Sequence, residues 1–375
     1  MDPLTHAASG AIAMLALPAR PQSWWALPLA ALACASPDLD LLFIHSPSEF
    51  LLLHRGISHS FAAMPFFGLL LALCCYPLWR KKTTDRWPFW YVWLFCCGMI
   101  LLHIWLDIFT TYGTMVFLPF SHYRLRLDSL YIIDPFLTVP LLLGLLLWRA
   151  RPKTIALILL WCFIYPLGNY GLNLLHTAQN KTRLAASDSG VSELRLLPDA
   201  FAPFFWRLLY ADQEPTGHFI YEQSIDGLGR PRTTAEPHPA APQQLARRLK
   251  SISKDADIYF DFAVLPIMTN LPERFWPEQR KPHAELRLFY DLRFGSGLEI
   301  VRRLLALRPN ADMPFLLMAE ILPPEDFGVI WATDYQNAAI HKIRLRFSDS
   351  GKDSDWHEPI PPAKPDFLQW IVGLQ

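Results

Sequence analysis

The chain has 375 residues, of which 52% are hydrophobic, 14% aromatic and only 18% charged. This composition is too apolar for an ordinary soluble protein of this length, and it indicates a membrane part joined to a soluble part. The 34 basic residues equal the 34 acidic residues, so nothing in the composition favours a nucleic-acid partner, and none is expected. All six cysteines lie in apolar runs of the N-terminal half, which indicates buried thiols rather than a disulfide framework or a thiolate metal site.

The first 175 residues contain six apolar segments. Three approach or exceed the roughly 20 residues that a helix needs to cross a bilayer, and the others are short enough to be tilted, re-entrant or packed inside a bundle. We interpret four as membrane helices and two as further candidates. Residues 1–175 are therefore predicted to form an all-α polytopic membrane bundle of about four to six helices. The segments cover approximately residues 7–17, 24–36, 59–79, 88–110, 133–149 and 154–175.

Residues 176–375 are predicted to form a soluble C-terminal domain. The composition becomes polar near Thr177, and short aromatic and β-branched runs then alternate with Pro, Gly and Asp, as in DIYFDFAVLPIM and AELRLFYDLRF. This pattern predicts an α+β or mainly β domain. The sequence PQQLARRLKSI at 242–252 predicts a short amphipathic helix.

The basic residues between the apolar segments predict the orientation of the bundle. One set of loops holds Arg20, the basic cluster at 80–86 and the basic cluster at 149–153, and the alternate set holds only Arg55, Arg124 and Arg126. Because cytoplasmic loops carry an excess of Lys and Arg, the first set is predicted to face the cytoplasm. With six crossings, the C-terminal domain would then lie on the non-cytoplasmic side.

Histidines and carboxylates accumulate at the segment ends nearest the predicted non-cytoplasmic face, whereas the cytoplasmic loops contain no histidine. Structural histidines without a shared role would be scattered over both faces. The convergence therefore predicts one common site. Its members are His6, Asp38, Asp40, His54, His59, His103, Asp107 and Asp134.

The spacing of these residues favours a metal site. His103 and Asp107 are four residues apart, so on a helix they face the same way and can bind one ion together. Gly56 interrupts the chain between His54 and His59, which lets both imidazoles turn inward. Imidazole and carboxylate ligands without a thiolate favour zinc, with manganese or iron as alternatives, and their number suits one or two ions. The predicted ligands are His6, Asp38, Asp40, His54, His59, His103 and Asp107.

Structural interpretations of the same residues stay open. His6 alone suits a surface position, Asp38 or Asp40 alone suits a helix cap, and Asp134 before a proline suits a turn or an N-cap. His103 and Asp107 also suit a hydrogen-bonded pair or a proton relay between helices. All of these interpretations would have to hold together to remove the predicted site.

Six short motifs resemble one known family. They are PLTH (3–6), PDLD (37–40), HRGISHS (54–60), HIWLDIFTTYGT (103–114), LPFS (118–121) and IDPF (133–136). Over residues 1 to about 150 they resemble the YdjM/YfhP-like membrane-bound metal-dependent hydrolases, which are described as LexA-regulated inner-membrane proteins. The resemblance implies a multi-pass protein of the bacterial inner membrane.

This family is similar, at a distance, to the zinc-dependent phospholipases C and the fungal single-strand nucleases. Those helical enzymes cleave phosphoesters with a zinc cluster held by His and carboxylate ligands. The resemblance implies that the His-x-x-x-Asp helix formed by His103 and Asp107 supplies metal ligands. A further histidine follows that motif in those enzymes, where this sequence has Gly113 at the nearest equivalent spacing.

The sequence thus predicts an integral membrane, metal-dependent hydrolase that acts on a phosphoester. Because the site lies at the membrane face, a lipid or lipid-linked substrate is expected. Arg55 is predicted to bind the phosphate, and Asp134 or a non-bridging carboxylate to act as the general base. Two other classes stay open: a non-catalytic scaffold with a structural metal or polar network, and a transporter. A transporter would usually show ligands near the bilayer midplane, broken helices and inverted repeats.

Overall fold

The computed structural model describes most of the chain up to residue 298 and short segments beyond it. The described residues are 1–21, 23–79, 87–186, 191–214, 217–270, 285–298, 301, 317–322, 326–331 and 343–345. The basic cluster predicted at 80–86 lies outside them.

The N-terminal part is helical, as predicted. Two of its shorter helices begin at side chains that accept from the first backbone N–H groups: Asp2 accepts from Thr5 N, and Ser46 accepts from Glu49 N. Segments of 3-10 helix connect the longer elements at Ser36–Phe43 and Ile57–His59. The α-helices are α1 (Pro3–Ala16), α2 (Ala26–Ala35), α3 (Pro47–Leu53), α4 (Met64–Trp79), α5 (Phe89–Ile108), α6 (Pro135–Leu147) and α7 (Pro152–Ala185).

Within the described residues, three helical segments are long and apolar enough to cross a membrane: Ala26–Phe43, Phe89–Ile108 and Pro152–Ala185. A fourth crossing is possible if Pro47–His59 and Met64–Trp79, which are bent by 76° against each other, form one broken span. The described part of the chain therefore shows three or four candidate crossings by length and composition, and not the six assumed for the orientation. Two of the predicted segments form helices of only 14 and 13 residues, shorter than the roughly 17–25 residues of a typical membrane-spanning helix.

The C-terminal part is α+β, which confirms the first of the two predicted fold classes. It has two antiparallel sheets, and two helices lie between them along the chain: α8 (Gln243–Ile252) and α9 (Lys254–Phe262). The first sheet has the order β1-β2-β3-β4 and the second β5-β6-β7-β8-β9. The strands are β1 (Glu193–Pro198), β2 (Phe205–Glu214), β3 (Gly217–Asp226), β4 (Glu236–Pro239), β5 (Pro266–Asn270), β6 (Glu285–Asp291), β7 (Leu317–Leu322), β8 (Asp326–Trp331) and β9 (Ile343–Leu345).

Helix α7 continues past residue 175, where the predicted boundary falls, and its last turns pack against the first sheet. Asn173 is buried there and donates to the carbonyl oxygens of Asp128 (2.7 Å) and Leu196 (2.8 Å). At the end of α5, the ring of Tyr112 lies 5.1 Å from that of Phe262 on α9. The α+β part thus packs against the end of the bundle that carries the predicted site.

Candidate metal centre

Three separate elements carry the predicted ligands to one place. Asp38 and Asp40 lie in the 3-10 helix that follows α2, and His54 and His59 lie on either side of the turn between α3 and α4. His103 and Asp107 lie one turn apart on α5, with both side chains fully buried. The i, i+4 spacing read from the sequence thus points both groups inward, toward the other two elements.

Four of these side chains form the first candidate ligand group: Asp38, His59, His103 and Asp107. The Nε2 atom of His59 lies 3.4 Å from Asp38 Oδ1 and 3.5 Å from Asp107 Oδ2. The Nε2 atom of His103 lies 3.5 Å and 3.4 Å from the same two oxygens. The two Nε2 atoms are 2.9 Å apart. All four ligand atoms therefore converge on one small volume.

A second candidate group consists of Asp38, Asp40 and His54, so Asp38 belongs to both groups. The Nδ1 atom of His54 lies 3.1 Å from Asp40 Oδ1. The side chains of this group are slightly exposed, 12% for Asp40 and 10% for His54, whereas those of His59 and Asp107 are at 0%. The second group is thus the more accessible side of a shared cluster.

The hydrogen-bond partners of His59 and His103 determine which ring nitrogen of each faces the cluster. His103 Nδ1 lies 2.8 Å from the carbonyl oxygen of Cys34; a carbonyl only accepts, so this nitrogen carries the proton. His59 Nδ1 lies 2.9 Å from Ser58 Oγ, which donates its own hydrogen to Asp40 Oδ2 at 3.0 Å. Outer partners of this kind orient histidines that bind metals.

The dimensions of the first group suit a small divalent ion. Ligand atoms at 2.0–2.1 Å from a tetrahedral zinc ion lie about 3.3–3.4 Å apart, and four of the distances in the group are 3.4–3.5 Å. Within the described part of the chain, Asp107 Oδ2 is buried and has no hydrogen-bond partner. An unpaired buried carboxylate oxygen is costly, and a cation would remove that cost. The residues present therefore fit a divalent metal.

Comparison with known proteins finds a matching family model for the N-terminal part. Residues 1–179 match the model of the YdjM inner membrane protein family. The match covers 179 of the 375 residues and includes the whole candidate site. The chain is also 24% identical over 269 residues to "Uncharacterized protein YfhP" of Bacillus subtilis (strain 168), an alignment that covers 70% of this chain and 75% of the relative. No solved structure matches the chain significantly.

The family match confirms the predicted family and the predicted membrane location. All six residues of the two ligand groups lie within the matched region. Hydrolytic activity and LexA regulation are not part of what the match shows, and both stay predictions.

Two further predicted site residues lie against the cluster. The ring of His6 stacks on that of His103 at 3.6 Å, and its Nε2 lies 3.2 Å from Asp107 Oδ1, but His6 belongs to neither ligand group. The guanidinium of Arg55 is buried with Nη2 3.0 Å from the same Asp107 oxygen, and it lies over the ring of Tyr112. Both residues thus contact a ligand carboxylate directly.

Asp134, the remaining predicted site residue, has a different environment. It is the N-cap of α6, where it accepts from the backbone N–H groups of Phe136 (2.9 Å) and Leu137 (3.2 Å). Its two oxygens also lie 3.0 and 2.9 Å from the hydroxyl oxygen of Tyr165. Among the described residues it belongs to neither ligand group. These contacts agree with the N-cap interpretation of its sequence.

Sequence reasoning missed several partners of Asp107 and Arg55. Thr110 Oγ1 accepts from Arg55 Nη1, and the backbone nitrogen of Met1 contacts Asp107 Oδ1. The ring of Tyr112 contacts two arginines: the guanidinium carbons of Arg55 and Arg124 lie 5.2 and 5.3 Å from the ring centre. The only sequence signal for these contacts is the closeness of Thr110 and Tyr112 to Asp107 in the chain.

Proposed function

We propose that this chain is a membrane-bound, metal-dependent hydrolase that cleaves a phosphoester in a lipid or lipid-linked substrate. The observation that carries the proposal is the pair of ligand groups joined at Asp38. A carboxylate shared by two groups is suited to bridge two metal ions, and two-metal sites are typical of phosphoester-cleaving enzymes. The donor set of three histidines and three aspartates favours zinc, with manganese or iron as alternatives.

The metal supplies the reactive chemistry when bound: it lowers the pKa of a bound water toward neutrality and polarises the phosphoryl oxygen. The protein holds and orients the ligands. His59, His103 and Asp107 hold the buried side of the cluster, and Asp40 and His54 hold the accessible side. Substrate is therefore expected to approach from the side of Asp40 and His54.

Arg55 is assigned to the phosphate. Its guanidinium is always charged and planar, which suits two phosphate oxygens, and it already lies 3.0 Å from a ligand carboxylate. For the general base, the hydrogen bonds at the start of α6 occupy Asp134, so the contacts support the alternative, a non-bridging carboxylate. Asp40 is the slightly exposed carboxylate of the accessible group.

Exposed apolar side chains beside the ligands support a lipid substrate. Leu39, between the two aspartates of the 3-10 helix, is 44% exposed, and Leu53, next to His54, is 51% exposed. Ile57 and Phe61, which flank His59, are 50% and 42% exposed. Such a rim suits acyl chains, because exposed apolar patches at a polar site mark contact with membranes or apolar ligands.

Metal analysis combined with a hydrolysis assay tests the proposal. The full chain is purified in detergent without chelators, its metal content is measured, and cleavage of phosphodiester and phospholipid substrates is followed. We expect bound zinc or a similar metal, activity that a chelator removes, and activity that zinc or manganese restores. His45→Ala is a matched control, because His45 is an exposed histidine outside both ligand groups.

Two results would contradict the proposal. Protein that stays metal-free when challenged with zinc and manganese would remove the metal site itself. Stoichiometric metal without hydrolysis of any phosphoester tested would instead favour the non-catalytic scaffold, in which a closed coordination sphere leaves no position for water.

A further inference from the structure

The loop between β1 and β2, residues 199–204, lies beside the apolar part of α7. The carbonyl oxygen of Ala202 accepts a hydrogen bond of 2.8 Å from the hydroxyl of Tyr165. Tyr165 lies within the apolar stretch of α7, a helix that is long and apolar enough to cross the membrane. This bond fixes the height of the loop relative to the membrane helices.

The loop presents aromatic side chains at that height. Phe201 is 38% exposed and Phe204 is 57% exposed, and the ring of Phe204 lies 5.6 Å from that of Phe136 in the first turn of α6. Phe204 thus contacts a membrane-part helix on one side and is open on the other.

The turn after β3 adds a third apolar side chain. Leu228 is 65% exposed, and α7 holds its turn from behind: His176 Nε2 lies 3.1 Å from the carbonyl oxygen of Gly227, and Asn180 Nδ2 donates to that of Gly229 at 3.2 Å. The two polar side chains of α7 satisfy backbone groups that would otherwise face the helix. The turn is therefore fixed, with Leu228 pointing away from it.

A groove of about 560 Å³ separates the loop from the turn. Leu172 of α7, Phe204 and Leu228 give it apolar walls, and Arg232 lies at the groove with its guanidinium 4.6 Å above the ring of Phe205. Apolar walls beside an exposed arginine match the two parts of a phospholipid, acyl chain and phosphate.

Continuity with the membrane helices identifies what covers this surface. Leu167, Leu174 and Leu175 on α7 are each 50–53% exposed, and they extend the apolar surface of the bundle toward the groove. A separate protein partner would need a surface of its own, whereas the bilayer already surrounds the helices that the loop touches. We propose that Phe201, Phe204 and Leu228 insert into the interface of the lipid bilayer and seat the α+β part on the membrane.

Site-specific fluorescence in reconstituted full-length protein tests this proposal. Cys74 is the exposed native cysteine, and the other five are buried, so Cys74→Ser gives a background for labelling. Phe204→Cys and Leu228→Cys are each labelled with a polarity-sensitive nitrobenzoxadiazole dye in vesicles of phosphatidylcholine and phosphatidylglycerol. His218→Cys is the control, because His218 is exposed near the opposite end of β3, roughly 25 Å from Asp226 along the strand.

We expect blue-shifted emission at positions 204 and 228, with loss of most of that emission when the vesicles carry a lipid with a quencher near the headgroup. Position 218 should show water-like emission that lipid quenchers do not change. Water-like emission at 204 and 228 would overturn the proposal. Blue-shifted emission that lipid quenchers leave unchanged would also overturn it, because a protein surface would then cover the patch. Neither result depends on hydrolytic activity.

Discussion

The Nε2 atoms of His59 and His103 face each other at 2.9 Å in the interior of the bundle. The outer nitrogen of His103 donates to the Cys34 carbonyl, and that of His59 can donate to Ser58, whose hydroxyl hydrogen goes to Asp40. If both rings are neutral, each then presents a lone pair to the other. Two facing lone pairs repel unless a proton or a metal ion lies between them, and the carboxylates of Asp38 and Asp107 complete a ligand set for a metal ion.

The two ligand groups predict different metal losses for two single variants. His103→Ala removes a ligand of the buried group alone, and His54→Ala removes a ligand of the accessible group alone. Each variant should lower the affinity for one of the two ions by more than the roughly 10–100-fold that loss of an outer-shell partner causes. Elemental analysis after buffer exchange should therefore find about half of the wild-type metal in each variant. Unchanged metal in both would mean that these histidines serve only as hydrogen-bonding groups.

Asp38→Asn should have the larger effect, because Asp38 is shared by both groups. An amide keeps the size of the side chain but carries no negative charge, so it is a poor bridge between two cations. We expect this variant to lose most of the metal of both groups, while thermal unfolding of the metal-free forms stays close to wild type. Retention of a full complement of metal in Asp38→Asn would show that the two groups do not share a bridging ligand.

Arg55 and His59 should differ in role although they are four residues apart. Arg55→Lys keeps the charge but loses the planar fork, so metal content should stay the same while turnover falls by roughly ten- to a thousandfold, or about 1.4–4 kcal/mol in the transition state. His59→Ala should lose metal and activity together. Full activity in Arg55→Lys would contradict the phosphate-binding role and leave Arg55 as a structural partner of Asp107.

The local parts of the site were predictable from the sequence. His103 and Asp107 were placed together because a helix repeats its faces every three to four residues, and both are buried on α5 as that spacing requires. The apolar segments likewise predicted where the helices lie. These features depend on residues close together in the chain, which is the information that periodicity contains.

The features that could not be predicted from the sequence depend on contacts between residues far apart in the chain. Apolar length alone does not separate a helix that crosses the bilayer from one buried in a bundle, and α1, although apolar, is a short helix packed against α2, α6 and α7. From its sequence, Asp134 suited a turn or an N-cap as well as the predicted general base, and Tyr165, 31 residues later, lies against it. No pattern in the sequence predicted that pair.

The packing at the end of α5 predicts which exposed positions share a side of the membrane. Arg293 Nη1 donates to the carbonyl oxygen of Thr111 at 3.2 Å, so the loop after α5 and the α+β part must lie together. Ser121→Cys and Ser251→Cys, both exposed, should react with a membrane-impermeant thiol reagent from the same, non-cytoplasmic side. Ala150→Cys, exposed between Arg149 and Arg151, should react from the cytoplasm, which requires both the 13-residue α6 and the longer α7 to pass to that side.

Two labelling results would contradict this prediction, each in a different way. Reaction of residues 121 and 251 from opposite sides would contradict the packing of the two parts. Reaction of both from the cytoplasm would leave the packing intact and reverse the orientation inferred from the basic loops. The six native cysteines should stay unlabelled in wild-type protein, because five are buried and Cys74 lies on the apolar helix α4.

Asp128, in the loop between α5 and α6, predicts how stability changes with pH. Burial raises the pKa of this carboxyl to about 6, although Arg126, 4.0 Å away, and Arg293 act in the opposite direction. Its Oδ1 atom is buried and has no hydrogen-bond partner in the described parts of the chain. The folded protein therefore binds the proton more tightly than the unfolded chain, whose carboxyl has a pKa near 3.8.

The sign of the effect follows from this order of pKa values. At low pH, Asp128 is protonated in both the folded and the unfolded state, so it does not change the free energy of unfolding. As the pH rises from about 4 to 6, the unfolded chain releases the proton first. The free energy of unfolding therefore falls by up to about 3 kcal/mol over this range. Asp128→Asn removes this titration, and Asn tolerates the positive φ of 47° at this position. We therefore expect the variant to match wild type near pH 4 and to unfold at a higher temperature at pH 7.5, as measured by circular dichroism in detergent. Equal unfolding temperatures at pH 7.5 would mean that the carboxyl is solvated in the folded protein.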